Sequence, residues 1–166
     1  MIKAVLRGAV LLCALVISAC TIQLAPGYDK ALVEGLDESN TRALTLFASL
    51  ESGSPASEFE QHEQRYAELI GTFDALRQRA QTRQIPPLAK RLSSLRIAQS
   101  FCNSEADPTG CVNASPASLG QVLSLLRRMR NTHRASGLAP DIVNVFRDSY
   151  NVAIAQALTV ENALQR

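Results

Sequence analysis

The chain has 166 residues, of which 46% are apolar and 5% aromatic, with no tryptophan and a formal net charge of +2. Few aromatic residues together with abundant Ala and Leu favour helices and argue against a β-sandwich or a β-barrel. The length suits a single domain that buries one core of its own.

A targeting segment is predicted over residues 1–19. Lys3 and Arg7 give it a positive start, residues 9–17 are uninterrupted apolar, and two small residues follow. The run is too short to span a bilayer stably, and it has no polar face of the kind that a soluble amphipathic helix carries. We therefore expect residues 1–19 to be a secretory signal that is removed.

The stretch Ile17-Ser18-Ala19-Cys20 resembles the lipobox of bacterial lipoproteins, with Ile where that family most often has Leu. The resemblance implies that Cys20 becomes the new N-terminus and carries a diacylglycerol and a fatty acyl chain such as palmitate. Several acyl chains together anchor a protein stably. In enteric members of the family, a residue such as Thr21 implies sorting to the outer membrane, facing the periplasm.

Residues 20–28 are predicted to form a lipidated tether. Pro26 and Gly27 break any regular structure there, and residues 21–28 reach at most about 28 Å when fully extended. The tether therefore predicts a domain, residues 29–166, that sits close to its membrane.

The remaining cysteines predict a disulfide. Cys13 leaves with the signal and Cys20 is used for lipidation, so that Cys102 and Cys111 remain in an oxidising compartment. The turn formers at 107–110 favour bringing them together, and a loop of this size is worth about 2.5–3 kcal/mol. A metal site would need more ligands nearby.

The first two helices are predicted over about 29–52 and 55–83. Asp29 suits an N-cap and Gly53 ends the first helix. In both, the core-facing positions recur at alternating spacings of three and four residues, the period of an amphipathic helix. The two stripes are Val33, Leu36, Asn40, Ala43, Phe47 and Leu50, and then Phe59, His62, Tyr66, Leu69, Phe73, Leu76 and Ala80.

The segment 84–114 is too long to lack structure in a small domain. Leu88, Leu92 and Leu95 follow a Pro-Pro break and predict a short fifth helix over about 88–102. Two further long helices are predicted over about 116–136 and 140–165. Their stripes are Leu119, Val122, Leu126, Met129 and His133, and then Val143, Phe146, Tyr150, Ala153, Ala157, Val160 and Leu164.

The predicted fold is all-α. The short connections at 52–54 and 137–139 make each pair of long helices a hairpin, and the four apolar stripes must be buried against one another. We expect an antiparallel four-helix bundle of two hairpins, with the short fifth helix in the long crossover.

Charge is divided unevenly along the chain. Residues 20–76 hold ten acidic and three basic residues, whereas residues 77–134 hold ten basic and two acidic ones. Either the helices neutralise one another, or arginines form a surface for anionic lipid headgroups, lipopolysaccharide phosphates or an acidic partner. Nucleic acid is not expected in this compartment. The arginines are Arg77, Arg79, Arg83, Arg91, Arg96, Arg127, Arg128, Arg130 and Arg134.

Two histidines and one asparagine fall on the apolar stripes. His62 and His133 lack the Glu-x-x-His spacing of di-iron bundles, so a structural role is the expectation and no metal or cofactor is predicted. Asn40 needs a buried partner, for which Tyr66 or Tyr150 is suitable.

The chain lacks the common catalytic motifs, including a Gly-rich phosphate loop, Gly-x-Ser-x-Gly and His-Glu-x-x-His. The leading hypothesis is a non-enzymatic, lipid-anchored helical module that binds another envelope component, most plausibly a protein. The alternative is a small-ligand or metal binder that uses the core around His62, Asn40 and Tyr66. The sequence leaves the partner and the oligomeric state open.

Overall fold

The computed structural model describes residues 23–95, 110 and 112–165, and all regular secondary structure in them is helical. The predicted all-α class is confirmed for these residues. The signal, Cys20, Arg96 and the predicted Cys102–Cys111 disulfide lie outside the described residues. The elements are α1 (Lys30–Ser49), a 3-10 turn (Ala56–Glu58), α2 (Phe59–Gln81), α3 (Pro87–Ser93), α4 (Ser115–Ser136) and α5 (Pro140–Ala163).

Local signals in the sequence set the helix ends. The Asp29 side chain accepts the backbone N–H of Leu32 at 3.2 Å and so caps α1. Proline occupies the first turn of α3, α4 and α5, where its missing N–H costs nothing. Gly53 and Gly137 follow α1 and α4 with φ of 85° and 77°, values that L side chains rarely adopt.

The two glycine turns lie against each other. The backbone N–H of Ser54 donates to the carbonyl of Leu138 at 2.8 Å, and the N–H of Leu138 donates back to Ser54 at 2.8 Å. A Cβ on Gly53 would lie 2.8 Å from the Leu138 carbonyl oxygen, and one on Gly137 would lie 2.9 Å from that of Ser54. Glycine is therefore required at both turns by conformation and by space.

The four long helices bury their stripes against one another. Helix α2 packs on α1 and on α4, and α5 packs on α4 and on α1. Their largest fully buried side chains include Tyr66, Tyr150, Phe47 and Phe73. None of the described helices is long and apolar enough to cross a membrane.

Helix α3 is shorter than the predicted 88–102. It starts at Pro87 and ends at Ser93, and residues 96–102 of the prediction lie outside the described part of the chain. The leucine spacing indicated the helix correctly, but not which face is buried. Ala89 and Ser93 are buried, whereas Leu88, Leu92 and Leu95 are exposed.

Candidate functional site

A buried polar cluster lies at the end of the helices where the two glycine turns meet. His133 is fully buried in the last turn of α4. Its Nδ1 lies 3.3 Å from the Tyr66 hydroxyl and its Nε2 lies 3.1 Å from the Ser54 hydroxyl. Ser54 in turn donates to the Glu58 carboxylate at 3.1 Å.

These contacts fit one tautomer of a neutral imidazole. Because the Ser54 proton goes to Glu58, the Ser54 oxygen is free to accept from Nε2–H of His133. Nδ1 is then the acceptor for the Tyr66 hydroxyl proton. We assign the tautomer from this hydrogen-bond pattern. Both ring nitrogens of His133 then have a hydrogen-bond partner while the ring carries no charge.

His62 lies beside His133, with ring centroids 5.4 Å apart, and Phe59 meets the His133 ring edge-on at 5.5 Å. Burial lowers the pKa of His133, and the neighbouring His62 lowers it further. Burial also lowers the pKa of His62, to which Arg65 adds repulsion. Both shifts favour the neutral form of the rings. We call Ser54, Glu58, His62, Tyr66 and His133 the His133 cluster.

Asn40 is not part of the His133 cluster and bonds Tyr150 instead. The Tyr150 hydroxyl donates to Asn40 Oδ1 at 3.1 Å, and the Tyr150 ring contacts Phe47 at 5.3 Å between centroids. Burial raises the pKa of Tyr150, so that its hydroxyl remains a donor. The structure thus joins Tyr66 to His133 and Tyr150 to Asn40, whereas the alternative hypothesis placed Asn40 with His62 and Tyr66 in one site.

A charged cluster holds the opposite end of the helices. Arg83 donates from both terminal nitrogens to the Glu161 carboxylate, at 2.8 Å and 2.7 Å. The side chains are 8% and 0% exposed. Asn113 accepts from Arg83 at 2.8 Å and donates to the Ala80 carbonyl, and Ser115 donates to Glu161. We call Arg83, Asn113, Ser115 and Glu161 the Arg83 cluster.

Arg83 therefore corrects the sequence prediction, which placed it among the arginines of a surface. Its guanidinium is buried, and the cluster joins the segment after α2 to the first turn of α4 and the last turns of α5. Glu161 was not singled out in the sequence. The available signal was its position beside Val160 and Leu164 on the apolar stripe of α5, where a carboxylate needs a partner.

Three other arginines of the predicted surface also pair with acids. Arg134 of α4 meets Glu63 of α2 at 2.5 Å, and Arg77 meets Asp74 within α2 at 2.9 Å. Arg79 meets Asp29 at 2.6 Å, and this contact holds the pKa of the Asp29 carboxyl below its usual range. The Arg134–Glu63 and Arg79–Asp29 pairs join different elements and support the interpretation that oppositely charged helices neutralise one another, whereas Arg77–Asp74 lies within one helix.

Other arginines face outward. Arg128 donates to Ser124 one turn earlier, and Arg130 donates to its neighbour Asn131, while Arg91 and Arg127 are exposed. Arg128 lies at the edge of an open groove of about 460 Å³ between α4 and α5. The groove is lined by Gln121, Ser124, Leu125, Arg128, Ser149, Val152 and Ala153.

Among the described residues, no three His, Cys, Asp or Glu side chains converge as metal ligands would. No protein-family model matches the chain, and comparisons with curated proteins and with solved structures give no match either.

Proposed function

We propose that this chain is a non-enzymatic, lipid-anchored module of the bacterial envelope that binds another envelope protein. Its place would be the outer membrane, facing the periplasm. Support for the anchor comes from the lipobox resemblance of residues 17–20. Support for the binding role comes from the groove between α4 and α5, where an outward arginine borders apolar side chains.

We also propose the finer architecture, an antiparallel four-helix bundle made of two hairpins. The Asp29–Arg79 pair brings the start of α1 to the end of α2, and the Ser115–Glu161 contact does the same for α4 and α5. The hydrogen bonds between Ser54 and the second turn join the hairpins at the other end. These contacts support helices that alternate in direction.

The observation that carries the binding proposal is the chemistry of the groove. Leu125, Val152 and Ala153 give an apolar floor, and Val152 is 62% exposed. At the rim, Arg128 donates a hydrogen bond to the uncharged hydroxyl of Ser124. A carboxylate is a stronger acceptor for a guanidinium, so that an Asp or Glu of a partner would replace Ser124 favourably. A partner helix that presents apolar residues beside an Asp or Glu fits these requirements.

Photo-crosslinking in cells tests this proposal. We expect a photo-reactive amino acid at Val152 to give one discrete protein adduct, and the same group at the exposed Ala67 on α2 to give none. Arg128→Glu should abolish the adduct by charge repulsion, whereas Arg147→Glu, an equal charge change at an exposed site of α5, should not. Equal adducts from both positions, or an adduct indifferent to Arg128→Glu, would refute the proposal.

One observation favours a second candidate, a small-ligand or metal binder at the His133 cluster. Among the described residues, the buried Nδ1 of His62 has no hydrogen-bond partner, although His133 lies 5.4 Å away between ring centroids. Elemental analysis and native mass spectrometry of protein purified from the periplasm test this candidate. A stoichiometric metal or retained small molecule, lost in His62→Ala, would establish it over the first proposal.

A further inference from the structure

Helix α3 exposes its large apolar side chains and buries its small ones. Leu88, Leu92 and Leu95 are 43%, 42% and 54% exposed, whereas Ala89 is 2% exposed and Ser93 is also buried. The leucines are spaced i, i+4 and i+7, so they share one face of the helix and its final turn. A covering helix ordinarily turns such a face toward the core. In this structure the leucine face of α3 is exposed instead.

The segment that precedes α1 also exposes large apolar side chains, and it approaches the start of α3 at Pro86 and Pro87. Leu24 and Tyr28 are exposed there, and a cleft of about 800 Å³ is lined both by this segment and by the residues that begin α3. Nine large apolar side chains are exposed in the described part of the chain, and five of them lie in these two segments. We call these five the apolar end patch: Leu24, Tyr28, Leu88, Leu92 and Leu95.

Basic residues border the apolar end patch. Arg91 is exposed on α3 one turn after Leu88, at the edge of the leucine face, and α3 has no acidic residue. Lys30, which pairs with Glu34, begins α1 beside the same cleft. Apolar side chains flanked by Lys and Arg, with a tyrosine, are typical of segments that lie in the boundary between headgroups and acyl chains. Anionic headgroups attract such basic residues.

The apolar end patch also lies where the chain meets its predicted anchor. Gln23, which lines the cleft, is three residues from Cys20, a span of at most about 11 Å. Acyl chains on Cys20 would therefore hold the apolar end patch against the lipid.

We infer that α3 and the adjoining tether dock on the membrane surface, with the apolar end patch in the headgroup–acyl boundary and Arg91 at anionic headgroups. This inference rests on the proposed lipid anchor. It also fixes orientation, because the Arg83 cluster is then the membrane-proximal end. The two glycine turns and the His133 cluster point away from the bilayer.

Depth-dependent fluorescence quenching tests the docking. The acylated protein is reconstituted in vesicles of phosphatidylethanolamine and phosphatidylglycerol, with an environment-sensitive dye on Leu92→Cys or, as the matched control, on Val152→Cys of α5. We expect the dye at 92 to emit at shorter wavelength, and brominated lipid to quench it several times more strongly than the dye at 152. Equal emission and quenching at the two positions would overturn the docking.

A second set of variants ties the signal to the apolar end patch. With Leu88→Ser and Leu95→Ser added, the dye at 92 should become as exposed to water as the dye at 152. Adding Leu44→Ser and Val145→Ser instead removes two exposed apolar side chains elsewhere and should change nothing. All four positions are exposed, so folding is not at stake. A dye at 92 that stays buried in lipid despite the first pair would contradict the role of the leucines.

Failure of the anchor is distinguishable from failure of the docking. Flotation of the reconstituted vesicles and the mass of the N-terminal peptide report whether residue 20 is acylated. A chain that floats with its acyl groups, but whose dye at 92 remains in water, would refute the docking alone. A chain without acyl groups that does not float would refute the anchor and the docking that rests on it.

Discussion

The two ends of the helices are closed by buried polar clusters of opposite kinds. The His133 cluster is held by hydrogen bonds between groups that burial keeps neutral, except for the Glu58 carboxylate at its margin. The Arg83 cluster is held by a full ion pair with almost no exposure to water. A neutral cluster costs little desolvation, whereas a buried ion pair costs more desolvation and does not tolerate the loss of one partner.

The comparison predicts that the largest effect comes from splitting the ion pair. Glu161→Ala leaves the Arg83 guanidinium buried without its counter-charge, and we expect a loss of about 3–5 kcal/mol in the free energy of unfolding by urea. Glu63→Ala, at the exposed pair with Arg134, is the matched control and should cost about 0.2–1 kcal/mol.

A double-mutant cycle completes this prediction. Replacing both partners, as in Arg83→Met with Glu161→Ala, should restore much of the stability that Glu161→Ala loses, because no unpaired charge then remains. If the double variant were as unstable as the sum of the two single changes, the ion pair would not be the source of the effect.

At the glycine-turn end, the next effect comes from the backbone. Gly137 has φ 77° and ψ −178°, a region that is essentially restricted to glycine, and Ser54 and Pro55 crowd it. Gly137→Ala should cost about 2–3 kcal/mol in thermal or urea unfolding. Gly71→Ala in α2 is the control of opposite sign, because a Cβ added at this position would meet no neighbouring atom. It should raise the free energy of unfolding by about 0.5–1 kcal/mol.

Much of this architecture was predictable from sequence. Asp29, Gly53 and Gly137 mark helix ends by rules that depend only on neighbouring residues, and the three-four spacing identified the four long helices. The Arg83–Glu161 pair was not predictable, because the two residues are 78 positions apart and nothing local distinguishes Arg83 from the exposed arginines near it.

Helix α3 shows the other limit of sequence reasoning. The spacing of Leu88, Leu92 and Leu95 predicts a helix whether its leucine face is buried or exposed, since periodicity reports the face and not what covers it. Only the burial of Ala89 and Ser93 in the structure reveals the orientation. The same holds for Asn40, for which two tyrosines were equally suitable partners in the sequence.

Two tyrosines allow the neutral cluster to be compared with the middle of the molecule. Tyr66→Phe leaves Nδ1 of the fully buried His133 without its donor, and we expect a loss of about 1–2 kcal/mol. Tyr150→Phe should cost about 0.5–1 kcal/mol, because the half-buried Asn40 can bond water instead. Urea unfolding of both variants measures the difference. A larger loss of stability in Tyr150→Phe than in Tyr66→Phe would contradict the argument that the more buried partner costs more to leave unpaired.

The neutral cluster also predicts a pH dependence. Burial lowers the pKa of His133 below the ordinary value near 6.5, so that below that pH the unfolded chain binds a proton that the folded chain excludes. The stabilisation is complete above pH 6.5 and is lost as the pH falls, by at most about 1.4 kcal/mol per pH unit for this group. Unfolding between pH 7.5 and 5 should show this slope, and His133→Gln should reduce it. An unchanged slope in His133→Gln would assign the dependence elsewhere.

In the proposed docking, the end that faces the membrane is set by acylation of Cys20. The direct measurement is the intact mass of the N-terminal tryptic peptide of the mature protein. The account predicts a peptide Cys20–Lys30 whose mass includes a diacylglyceryl group and an additional acyl chain. A peptide with residue 20 as a free thiol, or a mature chain that still carries residues 1–19, would contradict it.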